Sequence, residues 1–198
     1  MIKFIEIDKS VPYLTLKKYY DLAHKNNQSV IEAFLIASYS NVSQEVDARY
    51  VNLKFIQDKE FIFFSNYMSP KSQQFKSHSQ ISCVIYWSSI NVQIRMKGVV
   101  SKKSSKFNNE YFLNRSKEKN ALAVSSNQSQ RISSYQKVLN NYKKALKDSN
   151  LNQCPKHWGG FSFIPYYFEF WQGHQSRINK RDVYELNKET WIHSIIEP

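Results

Sequence analysis

Phe168 to Arg181 reads F-E-F-W-Q-G-H-Q-S-R-I-N-K-R, and the architecture of the whole chain turns on these fourteen residues. Strand alternation sends Phe168 and Phe170 to one face and Glu169 and Trp171 to the other. Gly173 and the polar residues through Ser176 predict a turn, because glycine accepts backbone angles that other residues avoid. A return strand then places Arg177, Asn179 and Arg181 on one face and Ile178 on the opposite one. Such a hairpin gathers a tryptophan plane, two guanidinium groups and an amide. That set suits a planar anionic ligand, since Trp stacks and Arg bonds oxyanions in a fixed fork. An ordinary hairpin with a core tryptophan and solvated arginines fits the same residues.

Composition narrows the classes. With 198 residues, 41% of them hydrophobic and 15% aromatic, the chain can bury a full core, and one domain over residues 1–198 is expected. Only four glycines occur, so no Gly-rich phosphate loop of the Rossmann or Walker kind is possible, and side chains must hold any phosphate. Lys and Arg outnumber Asp and Glu by 28 to 16, and the net charge of +12 favours nucleic acid, acidic lipid or a phosphorylated small molecule, or simply keeps the chain in solution. Cys83 and Cys154 lack metal-ligand spacing and read as reduced thiols; no metal site is expected. Met1 to Ser10 contains Glu6 and Asp8 and has no signal-type apolar core, and the apolar run Ala33 to Ala37 is far too short to span a bilayer. A cytoplasmic protein without a membrane partner is the expectation.

In chain order, Leu16, Tyr19, Tyr20 and Ala23 give residues 13–24 a helical stripe. Ala33 to Ser40 reads as a strand and Asn41 to Glu45 as its turn. From Asp47 to Phe55, alternation separates Arg49, Val51, Leu53 and Phe55 from Tyr50, Asn52 and Lys54. Without a bulge, Arg49 and Lys54 cannot grip one small anion together, though they can reach two; a half-exposed edge strand is the plainer alternative. Phe61 to Phe64 is a buried strand, and Ser69-Pro70-Lys71 opens a helix whose free N–H groups favour an anion. Ile81, Cys83, Ile85 and Trp87 alternate, as do Val92, Ile94 and Met96, which leaves Gln93, Arg95 and Lys97 on the other face. A helical segment near 105–124 sets Tyr111 and Arg115 one turn apart within a basic stretch. Ser125 to Ser129 is a polar loop. Residues 133–147 predict a helix with Tyr135, Val138, Leu139, Tyr142 and Leu146 inward. Trp158-Gly-Gly-Phe161 opens the final strands, and the last, around Trp191, is expected to close a barrel.

The opening stretch resembles the C-terminal signature of the pyridoxamine 5′-phosphate oxidase family, flavoproteins that carry FMN on a dimeric split β-barrel. Glu169, Phe170, Trp171, Gln172, Arg177, Ile178 and Arg181 stand at matching spacing; Asn179 and Lys180 replace the usual His and acidic residue. R-Y-V-N-L-K at 49–54 is similar to the family's Arg-x-x-x-x-Lys segment, and Gln128-Ser129 to its Gln-Ser. Pro70 replaces an Arg of Ser-Arg-Lys, and Lys119 a Ser. The similarity runs from Arg49 to Ser129 and from Trp158 onward; no counterpart of the family's N-terminal arm is recognised before Pro12.

The resemblance implies a mainly β fold with peripheral helices (α+β), a split β-barrel of Greek-key type, and FMN as cofactor. By correspondence, Arg49, Lys54, Phe64, Ser65, Lys71, Gln93, Gln128, Ser129, Trp171 and Arg181 would hold FMN. Lys54, Tyr111, Arg115, Lys119, Arg177 and Asn179 would hold the substrate, with Arg177 and Asn179 at the reacting ring. The implied reaction oxidises pyridoxamine or pyridoxine 5′-phosphate to pyridoxal 5′-phosphate with O2, in a homodimer whose FMN sites are shared between subunits. Two alternatives stay open. One is a flavin enzyme of the same fold with another substrate, such as a phenazine-pathway oxidase or a reductase. The other is a basic, aromatic barrel for single-stranded nucleic acid, which the motif spacing does not support; no nucleic-acid partner is expected.

Overall fold

The computed structural model describes residues 1–198. In chain order the elements are β1 (Lys3–Ile5), α1 (Val11–Lys25), β2 (Ala33–Ser40), β3 (Glu45–Gln57), β4 (Glu60–Asn66), α2 (Pro70–Ser77), β5 (Gln80–Trp87), β6 (Val92–Lys102), α3 (Ser105–Leu113), α4 (Lys117–Ser125), α5 (Tyr135–Asp148), β7 (Trp158–Gln172), β8 (Lys180–Asn187) and β9 (Thr190–Ile195). Antiparallel pairing runs β2–β3–β4–β7–β6–β5 and returns to β2, closing a ring of six strands. β5 comes back through α2 to lie beside β2, so the order 5-2-3-4 is a Greek key. Two strands outgrow the ring. β3 pairs with β2 along its first part and with β4 along its last, while β7 leaves β4 after Phe163 and carries β8 from Tyr167 onward.

Alternation explains the interior. Phe34, Ile36, Ile81, Cys83, Ile85, Trp87, Val92, Ile94, Met96, Phe168 and Phe170 are all buried in one cluster, on the faces that the period of two assigned to them. Tyr13, Leu16, Tyr20 and Ala23 of α1 cap this core, Tyr13 edge-on to Phe168 at 5.2 Å, while Tyr19 is only half-buried. Gly98 sits at a bulge where β6 slips against β7; a Cβ there would lie 2.3 Å from the Ile164 carbonyl oxygen, so the close approach of the two backbones requires glycine.

Three expectations are corrected. The helix near 105–124 is two helices, because Ser116 caps a fresh start: its Oγ accepts from Lys119 N at 3.4 Å. In α5 only Ala145 is buried; it packs with Ala121 and Leu151, and Tyr135, 75% exposed, and Leu146 lie outside that contact. β9 with Trp191 pairs with β8 alone and ends the sheet as an edge; the ring closes through β4 and β7.

Candidate active site

A cleft of about 950 Å³ opens beside the ring, walled by β3, the end of β4, the start of α2, the α3–α4 pair and the loop at 128–129. Arg49, Lys54, Phe64, Ser65, Lys71, Tyr111, Arg115, Lys119, Gln128 and Ser129 all line it, with Pro70 beside them. β3 lines the cleft from both of its faces, Arg49 and Val51 on one and Tyr50, Asn52 and Lys54 on the other. Leu53 pairs with Phe63 and Phe55 with Ile62, so Lys54 is the extra residue of a bulge, and it shares the outer face with Phe55 while Leu53 and Ile56 turn into the core. Arg49 and Lys54 therefore enter the same cavity from opposite faces of the strand, placed for two anionic groups rather than one.

One end is built around Lys71, in the first turn of α2. Its side chain is buried, and its Nζ donates to Ser65 Oγ at 2.9 Å and Ser69 Oγ at 3.2 Å, without a carboxylate partner. Burial first, then the nearby Arg49 guanidinium, depress its pKa to about 8. A buried ammonium with only hydroxyl partners is costly, and the helix N-terminus beside it adds positive potential. An anion of phosphate size relieves both, so the donor set fits the phosphate of a mononucleotide. Arg49 is braced by β2 and α2: Nη1 donates to Ser38 Oγ at 2.6 Å, Nη2 to Gln74 Oε1 at 3.1 Å, and the guanidinium pairs with Asp47. Gln128 Oε1 accepts from Ser65 Oγ at 3.2 Å and Asn66 N at 3.3 Å, which ties the polar loop to β4. Ser129 turns that loop with a φ of 67°.

The other end is cationic too. The Lys54 ammonium is destabilised by burial and by Lys119 and Arg115, with Glu32 opposing, and its pKa falls. Arg115 lies 4.3 Å over the Trp158 ring and donates to Asn120 Oδ1 at 3.3 Å. A stack of aromatic rings lines the same cleft: Tyr111 stacks on Phe64 at 3.7 Å and 12°, and Phe64 stacks on Trp158 at 5.1 Å. Burial raises the Tyr111 pKa and keeps the hydroxyl a donor.

Gln93, Trp171, Arg177, Asn179 and Arg181 do not line this cleft. Register places Gln93 opposite Trp171 and Trp171 opposite Arg181, so these three form one row across β6, β7 and β8. Arg181 is turned to Glu169, with Nε at 2.9 Å and Nη2 at 2.8 Å from Oε1. The expected return strand through Arg177 and Asn179 is instead a loop, since β8 begins at Lys180. Arg177 takes the left-handed conformation, φ 62°, and Asn179 Oδ1 accepts from His174 N at 3.0 Å, closing the loop on itself. Gly173 has no positive φ; it is needed for space, because a Cβ would meet Asn91 Nδ2 at 2.1 Å.

Sequence reasoning assigned no role to Trp158, Glu32, Asp47 and Asn52 on the cleft wall, nor to Ser38 and Gln74 behind Arg49. Trp158 carried a signal, an aromatic residue ahead of Gly-Gly; the others are common polar residues whose partners lie far away in sequence.

Residues 158–198 match the family model described as the pyridoxine 5′-phosphate oxidase C-terminal dimerisation region. Pyridoxine/pyridoxamine 5′-phosphate oxidase of Leptospira interrogans is 34% identical over 202 residues, covering 98% of this chain and 92% of the relative. The chain belongs to that family. The oxidase of the same description from a Nostoc species is 35% identical over 196 residues, covering 96% of this chain and 90% of its own. Among solved structures, PhzG from Burkholderia lata in complex with tetrahydrophenazine-1-carboxylic acid superimposes with a TM-score of 0.89 at 21% identity, covering 94% of this chain and 92% of that one. A pyridoxamine 5′-phosphate oxidase-related, FMN-binding protein from Nostoc punctiforme does so at 0.76 and 14% identity, covering 96% and 99%. The fold is therefore the mainly β, ring-like fold with peripheral helices that these structures share, and the class is that of the family's oxidoreductases. No helix is long and apolar enough to cross a membrane.

Proposed function

We propose that this chain is a single split-barrel domain that binds FMN and oxidises pyridoxamine or pyridoxine 5′-phosphate to pyridoxal 5′-phosphate with O2. One observation carries the reading: a single cleft is lined by two cationic groups, Arg49 with Lys71 and Lys54 with Arg115 and Lys119, and by a stack of aromatic rings, and the Lys71 ammonium is buried with no carboxylate in contact. Two phosphates and two stacked rings answer that arrangement. Lys71, Arg49, Ser65, Gln128 and Ser129 hold the FMN phosphate and its tail. Lys54, Tyr111, Arg115 and Lys119 hold the substrate phosphate, a remote handle that fixes where the reacting carbon sits. FMN, when bound, would supply the redox chemistry of the oxidation, and these residues would hold and orient it.

The row of Gln93, Trp171 and Arg181, with Arg177 and Asn179, completes the site from a second subunit. This reading explains why those residues lie off the cleft of their own chain, and it draws support from the match of 158–198 to a dimerisation region. In the assembled site Gln93 bonds the flavin ring edge, Trp171 packs on it, and Arg181 stabilises negative charge there. Arg177 covers the substrate ring. Asn179 offers a hydrogen bond and, unlike His, does not exchange a proton near neutral pH.

Anaerobic mixing of flavin-loaded protein with pyridoxamine 5′-phosphate tests the proposal: the flavin absorbance bleaches in a phosphate-dependent way. Bleaching by a non-phosphorylated substrate alone turns the reading to another enzyme of the fold, to which Pro70, Lys119, Asn179 and Lys180 point. Colourless protein that ignores FMN and binds oligonucleotides in a salt-dependent way refutes both.

A further inference from the structure

We propose that Glu169 is the positioning residue of the flavin site, holding the Arg181 guanidinium in one orientation and, together with Arg95, setting the charge it presents. The inference rests on the function proposed above, which gives Arg181 its contact with the flavin and assigns Glu169 nothing.

The geometry is specific. The Glu169 side chain is 2% exposed, on a strand where Trp171, two residues on, faces the same side. Its Oε1 accepts from Arg181 Nε at 2.9 Å and lies 2.8 Å from Arg181 Nη2. Its Oε2 accepts from Arg95 Nη1 at 3.0 Å and from Tyr167 Oη at 3.0 Å. Four contacts use the acceptor capacity of the carboxylate, so it has no bond left for a ligand. Arg181 also donates through Nη1 to the Glu197 carbonyl at 2.9 Å. A guanidinium has five N–H groups in a rigid plane; Nε and Nη1 each donate one here and Nη2 lies in ion-pair contact with Oε1, so N–H groups remain free on a group held in one orientation.

Charge adds a second argument. One guanidinium would neutralise the buried carboxylate, yet two are bound to it, so the cluster keeps one positive charge in excess. Arg181 stands opposite Trp171 in the register, so that excess lies at the row assigned to the flavin. Removing the carboxylate raises the local charge and frees the fork; removing Arg95, whose side chain is 46% exposed, lowers the charge and leaves the Glu169–Arg181 pair in place. A purely structural ion pair across β6, β7 and β8 predicts lower stability for both changes and no opposed effect on the flavin.

The experiment uses the full-length, FMN-loaded protein and two readouts: the flavin midpoint potential by dye-coupled reduction, and FMN dissociation by fluorescence. Glu169→Gln shifts the potential upward and weakens FMN binding by about tenfold, the order expected for a disordered charged hydrogen bond. Arg95→Gln shifts the potential downward, and Glu169→Asp falls between Glu169→Gln and the unmodified protein. Arg181→Lys is the control for the underlying reading. If it moves the potential while Glu169→Gln and Arg95→Gln leave it unmoved, or move it in the same direction, the positioning role is overturned and the flavin site stands. If the unmodified protein takes up no FMN, both are overturned. Should Glu169→Gln not fold, Arg95→Gln decides alone: a downward shift supports the role and an unchanged potential overturns it.

Discussion

Replacing Lys71 with Met should make the ligand-free protein more stable at pH 7 while weakening its hold on FMN. A fall of the ammonium pKa from 10.5 to about 8 corresponds to about 3 kcal/mol of destabilisation, which solvent screening at the cleft mouth reduces to about 2 kcal/mol. The variant also loses the bonds to Ser65 and Ser69, which returns about 1 kcal/mol. The net gain of about 1 kcal/mol is a rise of about 2–4 °C in Tm for a chain of this size. The sign with pH follows from proton counting. Between pH 8 and 10.5 the unfolded chain holds more protons on Lys71 than the folded one, so wild-type stability rises with pH across that window. The variant's advantage is therefore greatest below pH 8 and disappears as pH approaches 10.5. Thermal melts at fixed ionic strength measure this, and fluorescence titration with FMN should show binding weakened by about 10- to 100-fold, as befits a lost charge-assisted phosphate contact. A variant that melts below wild type at pH 7 without ligand, and binds FMN equally well, refutes the idea that this buried ammonium awaits an anion.

Four other outcomes are expected. FMN affinity of the wild type should fall as pH rises above about 8, because phosphate binds the protonated Lys71; an affinity flat to pH 9.5 contradicts this. Arg115→Ala removes the cation over Trp158 and should lower the second-order rate of flavin reduction by pyridoxamine 5′-phosphate by about 10- to 100-fold, read by stopped flow. Gly98→Ala places a methyl against the Ile164 carbonyl and should cost about 1–3 kcal/mol in urea denaturation, with no cost meaning the bulge can relax. Asn179→His should introduce a pH dependence near 6.5 into the reductive rate; an unchanged rate and profile remove Asn179 from the site.

The interior and the family signature are legible in the sequence because both are local. A period of two points Phe168, Phe170, Ile81, Cys83, Ile85, Trp87, Val92, Ile94 and Met96 inward, and each is buried. Helix α1 is legible from its stripe, and Pro70 marks the start of α2. Motif spacing also singles out Arg49, Lys54, Lys71, Tyr111, Arg115 and Gln128, which the fold brings to one cleft. Spacing fails where a cap or loop intervenes: at Ser116, which starts a new helix, and between Gly173 and Asn179, where His174 and Asn179 close a loop in place of a strand.

Composition determined that side chains, and not a glycine loop, would have to hold any anion, since four glycines cannot build one. Tertiary structure alone decided how. A single extra residue at Lys54 sets two consecutive side chains, Lys54 and Phe55, on the outer face between the core residues Leu53 and Ile56, and no local pattern announces it. Lys71 is depressed to about 8 by burial and by Arg49, a strand and a hairpin away. Glu169 meets Arg95 and Arg181 only because β6, β7 and β8 align in register. Desolvation and charge coupling depend on distance in space, and chain order does not carry that distance.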